Sequence, residues 1–198
     1  MKEYKKENSV PVVPKKDADN NKTGSFATTI VEAVSSVSVA FVVFAILLTF
    51  ICRPVQVDGH SMDYTLNDED WLVITTAFYK PEYEDIVIIS REQTGEDPLV
   101  KRIIGLPGDT IDIDAENGIV YRNGEALDEP YIAEPTYSLY DVEFPVTVPE
   151  DCVFVMGDNR NHSSDSRVAH IGMIEYERIL GKAQTRIIPW GDFSIYED

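Results

Sequence analysis

The sequence predicts a mainly β protein: a compact antiparallel β domain behind a single N-terminal transmembrane helix. Three observations predict it. Val34–Cys52 is a run of nineteen residues without a charge. After residue 54, short apolar runs of strand length recur between Gly, Pro, Asn and Asp. Between two such runs, Asn123-Gly124 is a two-residue hairpin signal, because both positions of the favoured turn need positive φ.

Along the chain, residues 1–29 form a polar leader with six lysines against four carboxylates, and its Pro/Asn/Lys-rich part, Val10–Thr23, is expected to be disordered. Residues 30–53 form the anchor. Nineteen helical residues span about 28 Å, close to the ~30 Å hydrocarbon core. Arg53-Pro54 ends it, since the residue before proline is pushed out of helical geometry. A cleaved signal peptide fits poorly: the leader is long, and RPVQV follows the apolar run instead of a small-x-small site. The lysine-rich flank favours a cytoplasmic N-terminus, so the rest lies outside a single-pass cell-membrane anchor.

Residues 54–198 form the outer domain. Expected strands are Val55–Val57, Trp71–Thr75, Asp85–Ser90, Leu99–Ile104, Thr110–Ile113, Gly118–Arg122, Cys152–Met156 and Lys182–Ile188, with a short turn near Ile174–Ile179. Glu125–Glu150, rich in Pro and acidic residues, reads as a surface excursion between strands. The whole chain of 198 residues carries a net charge of -18, which repels phosphate backbones and argues against nucleic-acid binding. Two cysteines form no disulfide framework, Cys152 reads as a buried small side chain, and no Cys/His spacing reads as a metal site.

Three segments carry chemistry. Val57-Asp58-Gly59-His60-Ser61-Met62 puts Ser61 eight residues after Arg53, within roughly 26 Å of the anchor even when fully extended. On a strand through Leu99-Val100-Lys101-Arg102-Ile103-Ile104, each face is apolar apart from one cation. An ammonium buried there is penalised, and a neutral lysine can take a proton from a serine hydroxyl. The third segment, Gly157-Asp158-Asn159-Arg160-Asn161-His162-Ser163-Ser164-Asp165-Ser166-Arg167, holds two Asp–Arg opportunities and three serine hydroxyls. Charge-assisted bonds would make it a rigid buttress, leaving a hydroxyl to orient a base. Each segment alone also reads as turn chemistry, a snorkelling lysine or a solvated loop.

In this order behind an anchor, GHSM, KRIIGLPGD and GDNRNHSSDSR resemble the type I signal peptidases, and the likeness covers most of the chain beyond residue 30. The resemblance implies a membrane-bound serine endopeptidase that removes signal peptides from exported preproteins. It implies Ser61 as nucleophile, Lys101 as general base, and Ser163 as the hydroxyl orienting the lysine. Asp158, Arg160, Asp165, Arg167 and Arg102 match its supporting polar positions. The Ser61 backbone N–H would serve the oxyanion, and Val57, Met62, Leu66 and Val100 would wall shallow substrate pockets. No cofactor or metal is implied; the partners are signal-peptide-bearing preproteins and membrane lipids. Two positions depart from the family pattern: Tyr64 stands where a proline is usual, and Gly59 where some members place a hydroxyl.

Rival readings remain from the residues. One is a histidine-based hydrolase using Ser61, Asp165 and His170. Another, from a different class, is an anchored β module that binds or scaffolds partners with a degenerate active site. A self-cleaving repressor-type peptidase uses a similar dyad but is cytoplasmic and binds DNA, against the anchor and the charge.

Overall fold

The computed structural model describes residues 20–50, 52–90 and 98–191. Helix α1 spans Asn20–Phe50. Within it Thr28–Leu48, 21 residues of mean hydropathy 2.4, is long and apolar enough to cross a membrane. The hydroxyls of Ser35 and Ser36 donate to the Glu32 carbonyl, and that of Ser38 to the Val34 carbonyl, so these polar groups are satisfied inside the helix. The expected boundaries shift at both ends. Asn20–Thr23, expected to be disordered, is helical, since no proline falls between Asn20 and Thr28 to stop the helix. At the other end Cys52, read as anchor, already belongs to a strand. The remaining leader residues, 1–19, lie outside the described residues. The chain divides into two compact units, residues 1–45 and 46–198.

The second unit is mainly β, with curled antiparallel sheets. Its strands are β1 (Cys52–Gln56), β2 (Trp71–Thr75), β3 (Ile86–Ile89), β4 (Leu99–Gly105), β5 (Thr110–Asp114), β6 (Ile119–Arg122), β7 (Glu125–Ala126), β8 (Val146–Thr147), β9 (Cys152–Met156), β10 (Ile174–Glu175), β11 (Ile179–Ile188) and β12 (Trp190–Gly191). The larger sheet has the order β1-β2-β11-β3-β4-β9-β10, with β12 paired to β11; the smaller has the order β7-β6-β5-β8. The β6–β7 hairpin turns at Asn123 (φ 55°) and Gly124 (φ 82°), as the sequence signal required. A 3-10 turn at Tyr176–Arg178 fills the place of the expected short turn. The acidic excursion contributes β7 and β8 to the small sheet instead of lying wholly outside it.

Strand β4 ties the core together. Val100 packs with Val57, Leu72 and Ile88, Ile103 with Val87 and Val153, and Ile104 with Ile111 and Phe154. Every residue from Val100 to Gly105 is buried, so the two cations on this strand, Lys101 and Arg102, are buried with it. Burying charge in this way requires partners, and those partners build the site.

Candidate active site

Ser61 lies on the turn after β1. The Met62 carbonyl accepts from the Thr65 and Leu66 backbone N–H groups. Met62 and Leu66 point inward and are sealed in the core, with 1% and 0% exposure. They were expected as pocket walls; burying the apolar side of the turn takes both off the surface. Val57 and Val100 keep slight exposure beside them. Gly59, at φ 94°, donates its N–H to Asp68 Oδ1. That backbone favours glycine and accounts for the missing hydroxyl. Tyr64 takes φ 80°, which the ring of proline forbids, so the turn has its own shape here.

Lys101 is 1% exposed, and its Nζ lies 2.6 Å from Ser61 Oγ and 3.0 Å from the Val100 carbonyl oxygen. Two residues distant in sequence thus meet because β4 runs behind the turn that bears Ser61.

Arg102 points to the other face and gives both Nε (2.8 Å) and Nη2 (2.6 Å) to the Asp158 carboxylate. Burial works against this guanidinium, but the bonds and charge of Asp158 outweigh it and hold its pKa above the ordinary arginine value. The same carboxylate accepts from Thr65 Oγ1 at 2.6 Å. Asp158 therefore joins the turn bearing Ser61 to the strand bearing Lys101.

Of the two Asp–Arg pairs expected in the loop after β9, Asp165–Arg167 forms, whereas Asp158 pairs with Arg102 and Arg160 with Glu129. Arg167 Nε and Nη2 grip Asp165 at 2.8 and 2.7 Å, and the Gly157 N–H donates to Asp165 at 3.0 Å. Arg160 donates to Glu129 and Thr136 from the excursion. Burial again opposes its charge, and Glu129 overrides it, raising its pKa. The Tyr131 ring lies 3.9 Å from the Arg102 guanidinium. Burial and the Glu129 charge push its phenol well above the ordinary value.

Asn159 was missed in the sequence: its backbone N–H donates to the Ser61 carbonyl at 3.0 Å and its Nδ2 to the His60 carbonyl at 2.9 Å. Thr65, Glu129 and Gly157 were missed as well. A Cβ on Gly157 would collide with the Ser163 side chain and the Ser61 carbonyl oxygen. Both Gly157 and Asn159 lie in the GDNR run that carries the family resemblance; nothing local marked Glu129.

Ser163 departs from expectation. Its hydroxyl is buried at the site, yet makes no hydrogen bond among the described residues. The contact expected with Lys101 is not formed. The histidines lie at the surface: His60 is exposed and paired with Asp63, and His162 and His170 are exposed. Among the described residues no group of His, Cys, Asp and Glu is arranged to hold a metal ion.

Comparison with known proteins agrees with this architecture. The family model described as signal peptidase, peptidase S26, matches residues 30–190. Signal peptidase I of Bacillus licheniformis is 38% identical over 171 residues, covering 81% of this chain and 90% of that protein. A probable signal peptidase I-1 of Synechocystis is 37% identical over 179 residues, covering 83% and 87%. Signal peptidase IB of Staphylococcus aureus is 32% identical over 182 residues, covering 83% and 92%. The chain belongs to the signal peptidase family S26 and is one of its serine peptidases.

Proposed function

We propose that this chain is anchored by α1 in the cell membrane, with its β unit on the outer side, and cleaves signal peptides from exported preproteins using Ser61 and Lys101. The observation that carries the reading is the 2.6 Å approach of a buried lysine amine to a serine hydroxyl. An amine removed from water is biased towards its neutral form, and a neutral amine accepts the hydroxyl proton.

The substrate segment enters as an added strand. Leu99–Lys101 pairs with β3 on one side, whereas pairing with β9 begins only at Arg102, which leaves an edge beside the dyad. An open cleft of about 450 Å³, lined by Val55, Val57, Asp58 and Pro98 among others, continues this edge. Small side chains before the scissile bond suit the shallow space beside Val57 and Val100.

Ser61 Oγ attacks the carbonyl carbon while Lys101 Nζ takes its proton, and the oxyanion receives the Ser61 N–H. The tetrahedral species collapses with loss of the amine, which leaves with the proton from Lys101. Water, deprotonated by Lys101, then cleaves the acyl ester and restores Ser61. In this scheme Ser163 orients the lysine, which requires its buried, unbonded hydroxyl to make a contact with Nζ that is not formed among the described residues.

The test is mass spectrometry of peptides released from a preprotein in membranes. The parent should release the signal peptide at one bond; Ser61→Ala and Lys101→Ala should release none while remaining folded. Lys101→Arg should be equally inactive, because a guanidinium does not give up its proton. Normal turnover by the Lys101→Ala form would refute the dyad. A parent that binds preprotein but never cleaves it would favour a scaffold.

A further inference from the structure

The acidic excursion after β6 has no part in the catalytic scheme, yet one stretch of it is tied down at both ends. The Leu127 N–H donates to the Val120 carbonyl at 2.9 Å, and the Thr136 N–H to the Gly118 carbonyl at 2.9 Å. Val120 lies in β6 and Gly118 immediately before it. The stretch from Leu127 to Thr136 is therefore a short bridge standing on neighbouring points of the small sheet.

Within that bridge Glu129 turns inwards. Its side chain is 5% exposed, and that of Arg160, which it meets, is 0% exposed. Arg160 Nη1 donates to one oxygen of the carboxylate at 2.8 Å and Nη2 to the other at 2.5 Å. The Tyr131 hydroxyl donates to the same carboxylate at 3.1 Å, and Thr136 Oγ1 accepts from Arg160 Nη1 at 3.0 Å. A two-point contact of this kind fixes the plane of a guanidinium as well as its position.

The guanidinium so fixed reaches into the loop after β9. Its Nε donates to the Gly157 carbonyl at 3.2 Å. Two residues further on, Asn159 holds the Ser61 carbonyl with its N–H and the His60 carbonyl with its Nδ2. Direct contacts thus run from the small sheet through Glu129, Arg160 and residues 157–159 to the Ser61 peptide. The bridge also backs the strand that carries Lys101, because the Tyr131 ring lies 3.9 Å from the Arg102 guanidinium and 5.8 Å from that of Arg160.

We propose that Glu129 is a positioning residue for the reaction: acting through Arg160, it sets the loop that holds the Ser61 peptide. The proposal rests on the reading above that Ser61 and Lys101 carry the chemistry, and it adds a residue that serves them. Glu129 touches neither the substrate nor the dyad. Its part is to keep Arg160 from leaving the interior for water, which would release the Gly157 carbonyl and loosen Asn159 behind it.

Preprotein cleavage by the full chain in detergent tests it. Glu129→Gln, equal in shape but uncharged, should lower kcat about tenfold with KM within about twofold of the parent's. Asp128→Asn, which removes the same charge from an exposed neighbour, should cleave like the parent. A double change separates positioning from stability. Glu129→Leu with Arg160→Met removes the buried cation along with its counter-ion, so the melting temperature should return towards the parent's. Its kcat should stay low, because the Gly157 carbonyl has lost its donor. Recovery of both in the double form would overturn the proposal, as would a Glu129→Gln loss confined to KM or absent.

Amide exchange in a Ser61→Ala chain needs no catalysis. There Glu129→Gln should speed exchange over residues 157–163 roughly tenfold while β3 and β4 keep their protection. Unchanged exchange in the loop, or equal acceleration throughout the β unit, would overturn the proposal. Cleavage by the Ser61→Ala form at the parent's rate is a separate result: it would sink the catalytic reading and this proposal with it.

Discussion

Asn159 fastens Ser61, the proposed nucleophile, from outside its own turn. Its two donors hold the carbonyls of His60 and Ser61, and so fix the peptide plane of the Ser61 N–H, the oxyanion donor in the proposed mechanism. Asn159→Ala keeps the backbone bond and removes the other. We expect kcat to fall roughly 10-fold to 100-fold from misplacement alone, with KM and the pH profile unchanged, because Lys101 is untouched. A variant whose melting temperature falls while kcat stays normal would assign Asn159 a purely structural part. Gly157 sets a stricter condition. Any side chain there collides with Ser163 and with the Ser61 carbonyl. Gly157→Ala should therefore abolish cleavage while the far-ultraviolet spectrum stays mainly β; activity near the parent's would show that the loop yields.

At the scale of elements, the turn bearing Ser61, β4 and the loop after β9 meet through one carboxylate. Asp158 is fully buried and accepts from Arg102 and Thr65. Removing it leaves a buried guanidinium without its counter-ion, a loss of about 3–5 kcal/mol. Asp158→Ala should lower the unfolding free energy obtained from urea titration by that amount; a double change with Arg102→Met should recover much of it, since the stranded charge goes too. No recovery would mean that Asp158 acts chiefly through Thr65. This junction also marks where sequence reading stops. Strands of four residues or more show a period and were legible; β7, β8, β10 and β12, two residues each, are too short to show one. That Ser61 and Lys101 would meet was legible because their segments carry recognisable neighbours. Thr65 and Asp158, 93 positions apart, meet only through the sheet's topology, and the acidic stretch gave no hint that Glu129 would meet Arg160.

For the whole molecule, charge sets the limit at high pH. The chain already carries -18 at neutrality, and every further ionisation adds to that repulsion. Tyr131 and Tyr79 are held neutral in the fold: burial is the main cause for both, reinforced by the Glu129 charge for Tyr131 and the Asp85 hydrogen bond for Tyr79. Their folded pKa values lie above those of the unfolded chain. The stability they contribute is therefore complete below the ordinary phenol value of about 10 and declines as pH rises through and beyond it. Tyr131 is almost wholly buried, and its share of the slope approaches ~1.4 kcal/mol per pH unit. Urea unfolding of the full chain in detergent should show a steady midpoint up to about pH 9 and a steep fall above about pH 10. Tyr131→Phe should flatten that fall, because phenylalanine has no proton to lose in either state. If the parent and the Tyr131→Phe form fall in parallel, the buried phenol is not what makes the fold sensitive to alkali, and the lysine pairs, beginning with Lys182–Asp85, become the cause to test.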